Sequence, residues 1–229
     1  QSIFEDDFDI ERIITALQIE SGITIQPENT LIIFDEIQEA EGALTSLKYF
    51  QENAPQYHVI SAGSLLGIAL NKHTSFPVGK VDFMDLYPLS FPEFLDAIDE
   101  KPLLDLLESN DWKLIKSFNT KYRELLKQYY YIGGMPEVVF SFKQEKNFNK
   151  VRILQKQILA AYEQDFSKHA PNEIVPRIRM LWNSIPAQLA KENKKFIYGA
   201  IRQGARAKDY ELAMSWLIDC GLIHKINRV

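Results

Sequence analysis

Asp35 and Glu36 stand side by side at the end of the apolar run Leu31-Ile32-Ile33-Phe34. Four apolar residues with no polar alternation predict a parallel strand buried on both faces. Such a strand delivers its last side chains to the carboxyl edge of a sheet, where open α/β folds bind ligands. Adjacent residues leave that edge in different directions, so the pair can do two jobs. The first acid can hold the Mg²⁺ that bridges β- and γ-phosphates, and the second can orient or deprotonate the attacking water. An ordinary strand end followed by an acid-capped helix would carry the same residues.

A neighbouring strand is expected at Tyr57–Ile60, running into Ser61-Ala62-Gly63-Ser64. A polar side chain at its tip is placed to sense a γ-phosphate, although Ser64 could equally be a helix N-cap. A third strand is expected over Val81–Leu86, followed by Leu86–Phe94, where two X-Pro steps force extended backbone before a new helix.

Helices must position these strands. One is predicted from about Asp9 to Glu20, where Ile10, Ile13, Ile14 and Leu17 recur at three and four. Another carries Ala43, Leu47 and Phe50. Strand, helix, strand, helix, strand at these separations reads as a parallel α/β sheet. From Ser90 the pattern turns helical. Trp112, Ile115, Phe118, Tyr122, Leu125 and Tyr129 mark an expected buried stripe, ended by Gly133-Gly134, with Pro136 opening the next helix. Amphipathic stretches follow at about Val151–Phe166 and Val175–Lys191. The last forty or so residues predict a short helix near Tyr198–Gln203, a Gly204 turn, a helix from about Lys208 to Cys220 and a strand over Leu222–Val229, the order of a winged-helix module.

The net charge of −5 argues against a protein that coats nucleic acid along its whole surface. The balance is uneven: from Lys191 onward there are eight basic and four acidic residues, against 18 and 27 before it. That asymmetry predicts two modules with different partners, the second offering Lys194, Lys195, Arg202, Arg206 and Lys208 as candidate DNA phosphate contacts. One cysteine, Cys220, allows no internal disulfide, and on an apolar helix face it reads as core. His58, His73, His169 and His224 lack metal-ligand spacing. No run approaches the roughly 18 apolar residues of a membrane span, so the expected setting is cytoplasmic.

The ordered set LIIFDEIQ (31–38), VISAGSLLG (59–67), Val78-Gly79-Lys80, LYPLSFPEFL (86–95), YIGGMPEV (131–138) and WLIDCGLI (216–223) resembles the AAA-type prokaryotic ATPases that carry an uncharacterised C-terminal domain. The resemblance implies a P-loop ATPase core, a helical lid and a winged-helix element leading toward a nuclease-like region. It assigns the Walker B roles to Asp35 (Mg²⁺) and Glu36 (water), and the sensor role to Ser64 or Ser61. Lys80 stands where the family usually has a basic residue, often arginine. As a charge-stabilising finger it would supply a point charge without the bidentate fork. ATP and Mg²⁺ are the implied cofactors of the full-length protein. DNA and further copies of the chain are candidate partners.

The phosphate-binding loop Gly-x-x-x-x-Gly-Lys-Ser/Thr is missing from the sequence; Gly199 and Gly204 have its spacing but are followed by Ala205-Arg206. With no initial methionine and a last residue inside an expected strand, the chain reads as an internal segment of a longer protein. The expected fold is therefore α/β, a partial P-loop NTPase parallel sheet followed by a helical lid and a winged-helix-like module. The expected boundaries are 1–90 for the core, 91–165 for the lid and 166–229 for the module. The competing reading is a non-catalytic winged-helix protein that binds DNA or protein and keeps a degenerate nucleotide fold.

Overall fold

The computed structural model describes residues 2–4, 8–63, 79–193 and 195–227. The chain divides into two compact units, Gln1–Phe83 with Ala170–Val229, and Met84–His169.

In the first unit, α1 (Ile10–Ser21) starts where the Asp9 carboxylate accepts the N–H groups of Glu11 and Arg12. It stops at Gly22, whose φ of 68° closes the helix on the Gln18 carbonyl. Strands β1 (Leu31–Phe34) and β2 (His58–Ser61) are parallel, with Leu31 opposite His58 and Phe34 opposite Ser61. Helix α2 (Ala43–Asn53) is the crossover between them. Ile10, Ile13 and Ile14 of α1, Ile32 of β1, and Leu44 and Phe50 of α2 form one core with Phe4 and Ile37. The expectation that β1 is buried on both faces is corrected. Leu31 and Ile33 are 50% and 63% exposed, and Ile60 is exposed beside them, because the α1–α2 core covers only the face that carries Ile32.

The third strand expected over Val81–Leu86 is also corrected. Residues 81–90 are irregular, and Phe83, Met84 and Leu86 are exposed. A strand needs a hydrogen-bonding neighbour, and among the described residues the sheet consists of β1 and β2 alone.

The second unit is helical: α3 (Phe91–Ala97), α4 (Lys101–Glu108), α5 (Trp112–Ser117), α6 (Asn119–Ile132), α7 (Pro136–Glu145) and α8 (Phe148–His169). Phe94, Leu95, Leu103, Leu104, Leu125, Ile132, Val138 and Val151 build its core. The expected buried stripe holds for Tyr122 and Leu125, but Trp112 and Phe118 are exposed. The Glu93 carboxylate accepts both the Ser90 hydroxyl, at 2.6 Å, and the Ser90 N–H, at 2.7 Å. These two bonds, the hydroxyl first, hold the Glu93 carboxyl below the usual glutamate value. The lowered value stabilises the fold above the ordinary glutamate pKa, and the contribution disappears as pH falls through the folded-state value. Ser90→Ala is expected to move the Glu93 titration upward in a ¹³C NMR experiment. An unchanged midpoint would show that the capping box does not act on this carboxyl.

Helices α9 (Val175–Leu189) and α10 (Ala207–Asp219) pack on each other, burying Ile178, Leu181, Tyr210, Ala213 and Leu217. The buried Gln188 amide ties the following loop, its oxygen accepting the Ile197 N–H at 2.6 Å. The expected helix near Tyr198–Gln203 is a single 3₁₀ turn, Tyr198–Ala200. The expected strand at Leu222–Val229 is irregular over residues 222–227, again with no strand described beside it to complete a ladder.

Candidate active site

The acidic pair lies at the carboxyl end of β1, and its setting is built by backbone bonds between two strand ends. The Ala62 N–H donates to the Phe34 carbonyl at 2.8 Å, extending the ladder past β2. The Ala62 carbonyl in turn accepts the Ile37 N–H at 3.1 Å. The chain reverses at Glu36, which adopts the left-handed conformation (φ 48°, ψ 47°), and enters the 3₁₀ turn Ile37–Glu39. For a residue with a Cβ this conformation costs about 1–2 kcal/mol, offset here by the buried Ile37 and the Glu39 N–H to Glu36 carbonyl bond.

Both carboxylates are exposed to solvent. Asp35 Oδ1 accepts the Glu36 N–H at 3.1 Å, which orients the Asp35 carboxylate, and Gln38 Nε2 donates to Glu36 Oε2 at 2.5 Å. That clamp from Gln38, two residues on, is a feature that sequence reasoning missed. The only signal was its place in the DEIQ run. Two buried polar atoms nearby have no hydrogen-bond partner among the described residues: Gln38 Oε1 and Ser61 Oγ at the end of β2.

A cleft of about 300 Å³ opens on the pair, lined by Phe4, Phe34, Asp35, Glu36, Ile37, Glu39, Ala40 and Ala43. Its charged side chains are all acidic. It therefore suits a hydrated Mg²⁺, which is commonly held by one or two carboxylates while waters and phosphates complete its shell. Among the described residues, no side chain that lines the cleft carries a positive charge.

Of the other expected site residues, Lys80 pairs with Glu52 at 3.1 Å, in the last turn of α2 that leads toward the start of β2. Asp35 is at the opposite, carboxyl edge. Ser64 and Lys194 lie outside the described residues. Lys195, Arg202, Arg206 and Lys208 are exposed; the Arg206 N–H donates to the Asp209 carboxylate at the start of α10. Burial, with a smaller push from Asp219, raises the Cys220 thiol to about 12, so it stays protonated at neutral pH and is a poor nucleophile. No described helix is long and apolar enough to cross a membrane.

Comparison with curated proteins and with solved structures returned no match. Two family models match. Residues 123–229 are similar to a domain of unknown function (DUF8612), a description that says nothing of a nuclease. Residues 2–95 are similar to an AAA domain, and this match supports an AAA-type, P-loop ATPase-like domain over the segment that carries both strands and the acidic pair.

Proposed function

We propose that this chain carries the cation- and water-handling part of an AAA-type ATPase site that becomes complete in the full-length protein. The observation behind this reading is the exposed Asp35–Glu36 pair at the carboxyl edge of a parallel strand, its flanking residues Phe34 and Ile37 both bonded to Ala62 at the end of the neighbouring strand. Asp35 would hold Mg²⁺. When bound, that ion offsets charge on the β- and γ-phosphates. Glu36, oriented by Gln38, would accept the proton of the attacking water. The unpartnered Ser61 hydroxyl supports a role for the β2 tip in sensing the γ-phosphate, shared with Ser64. Lys80 could serve as a charge-stabilising finger only after leaving Glu52.

On this reading residues 1–90 belong to the ATPase core, 91–165 act as the lid, and 166–229 form a winged-helix-like module that hydrolysis moves. Lys194, Lys195, Arg202, Arg206 and Lys208 are the candidate DNA contacts. A cytoplasmic, homo-oligomeric protein fits the same reading. MgATP hydrolysis by the full-length protein, beside residues 1–229 alone, tests it. Turnover is expected only in the former. No turnover in either, with or without DNA, would leave a non-catalytic binding module as the better account.

A further inference from the structure

Helices α5 and α6 carry a row of side chains along the edge of their unit's core, part buried in it and part open to solvent. Trp112, Ile115, Asn119, Tyr122 and Leu126 recur at three and four, and with Phe91 and Leu107 they line a groove of about 520 Å³. The geometry of the groove is held from below. Asp111 caps α5 by accepting the N–H groups of Lys113 and Leu114, and the Tyr122 hydroxyl donates to the Leu103 carbonyl at 2.6 Å. Trp112 is 67% exposed, while Phe91, Leu107, Ile115 and Leu126 are half-buried.

The charge of the groove has one sign. Lys116 and Arg123 are the charged residues that line it. Both are exposed and make no ion pair or hydrogen bond among the described residues. Three nearby acids are engaged elsewhere: Asp111 in the cap, Asp105 with Lys101, and Glu100 with Lys121; Glu108 and Glu124 do not line the groove.

We infer that this groove docks an acidic amphipathic helix of a partner protein. Its apolar face would cover Trp112, Ile115 and Leu126, and its flanking carboxylates would meet Lys116 and Arg123. A stripe at three-and-four spacing, two turns and more in length, matches the ridges of a packing helix. An exposed tryptophan beside an arginine is the composition of an interface anchor. A nucleic-acid strand would instead ask for a run of cations along its backbone. The groove supplies two, on a chain of net charge −5.

The test is fluorescence anisotropy on the full-length protein with four labelled probes. These are a Leu/Glu amphipathic helical peptide, its scrambled isomer, a Leu/Lys helix of the same pattern, and single-stranded oligo-dT. The Leu/Glu helix is expected to saturate and to bind roughly tenfold or more tighter than the other three probes. Trp112→Ala and the double charge reversal Lys116→Glu/Arg123→Glu should each weaken it by roughly tenfold, and Lys127→Glu should not. All these side chains are exposed, so the variants should melt like the wild type; if Trp112→Ala does not, the charge reversal decides. Absence of saturable binding, equal binding of the scrambled peptide, or indifference to both variants would overturn the inference. So would tighter binding of oligo-dT that the same variants abolish, which would assign the groove to single-stranded nucleic acid.

Discussion

Glu36→Gln in the full-length protein is expected to leave the MgATP dissociation constant within about threefold of wild type and to lower turnover roughly 10²–10⁴-fold. The substitution is nearly isosteric. Its side-chain oxygen can still accept the Gln38 Nε2 bond that the Glu36 carboxylate accepts at 2.5 Å, so the orientation of the group and the left-handed turn beneath it should survive. What disappears is a carboxylate able to take a proton from water. Asp35, the proposed Mg²⁺ ligand, is untouched. A loss confined to turnover therefore separates a catalytic Glu36 from one that merely shapes the cleft. Single-turnover kinetics beside equilibrium binding of MgATP would make the measurement. Unchanged turnover would remove Glu36 from the reaction, and weakened binding with unchanged turnover would make it a structural element of the cleft.

The second large effect is on stability, and it lies away from the acidic pair. Gly134→Ala is expected to destabilise the Met84–His169 unit by about 3 kcal/mol, combining overpacking with the loss of part-buried hydrogen bonds. A Cβ at this position would sit 2.2 Å from the Leu89 carbonyl oxygen and 2.8 Å from the Leu89 nitrogen, both backbone atoms that cannot rotate aside. The same close approach lets the Leu89 N–H donate to the Gly134 carbonyl at 2.7 Å, and it brings the Leu89 carbonyl to the Tyr129 hydroxyl at 2.7 Å. Displacing Leu89 would break both bonds. Hydrogen exchange should then accelerate across α3, α6 and α7 while α1 and α2 keep wild-type protection. Gly199→Ala is the control, since a Cβ there meets no atom within 4 Å. Equal melting of the two variants would show that the strap at Leu89 can shift at little cost.

That clamp also shows why two short stretches in the sequence belong together. LYPLSFPEFL and YIGGMPEV can be noticed separately, but nothing in their composition says that Leu89 lies across Gly134. Their contact depends on how α3 and α6 pack, and only the fold supplies that.

What the sequence determined by itself is local. The isoleucines of α1 at three and four, Asp9 before them and Gly22 after them specify a helix with both ends capped within a few residues. The run Leu31–Phe34 specifies a strand and carries Asp35 and Glu36 to its carboxyl end. Helical period likewise predicts α10 and its buried Tyr210, Ala213 and Leu217. In each case the signal and the structure it dictates lie within one element.

Tertiary structure decided whatever needed a partner distant in sequence. Strands were expected at Val81–Leu86 and Leu222–Val229. Neither forms over its described residues, because β propensity is realised only when another strand takes the hydrogen bonds. The period of α5 and α6 predicted one buried apolar stripe; packing buried Tyr122 and Leu125 and left Trp112 in water. The family resemblance suggested Lys80 for the site, and only the structure shows its ion pair with Glu52. At the site itself the residue types were legible, but the left-handed backbone of Glu36, its clamp by Gln38 and the unpartnered Ser61 hydroxyl were not. Those depend on the backbone bonds that Ala62 makes to Phe34 and Ile37, and periodicity within one segment carries no information about bonds between two.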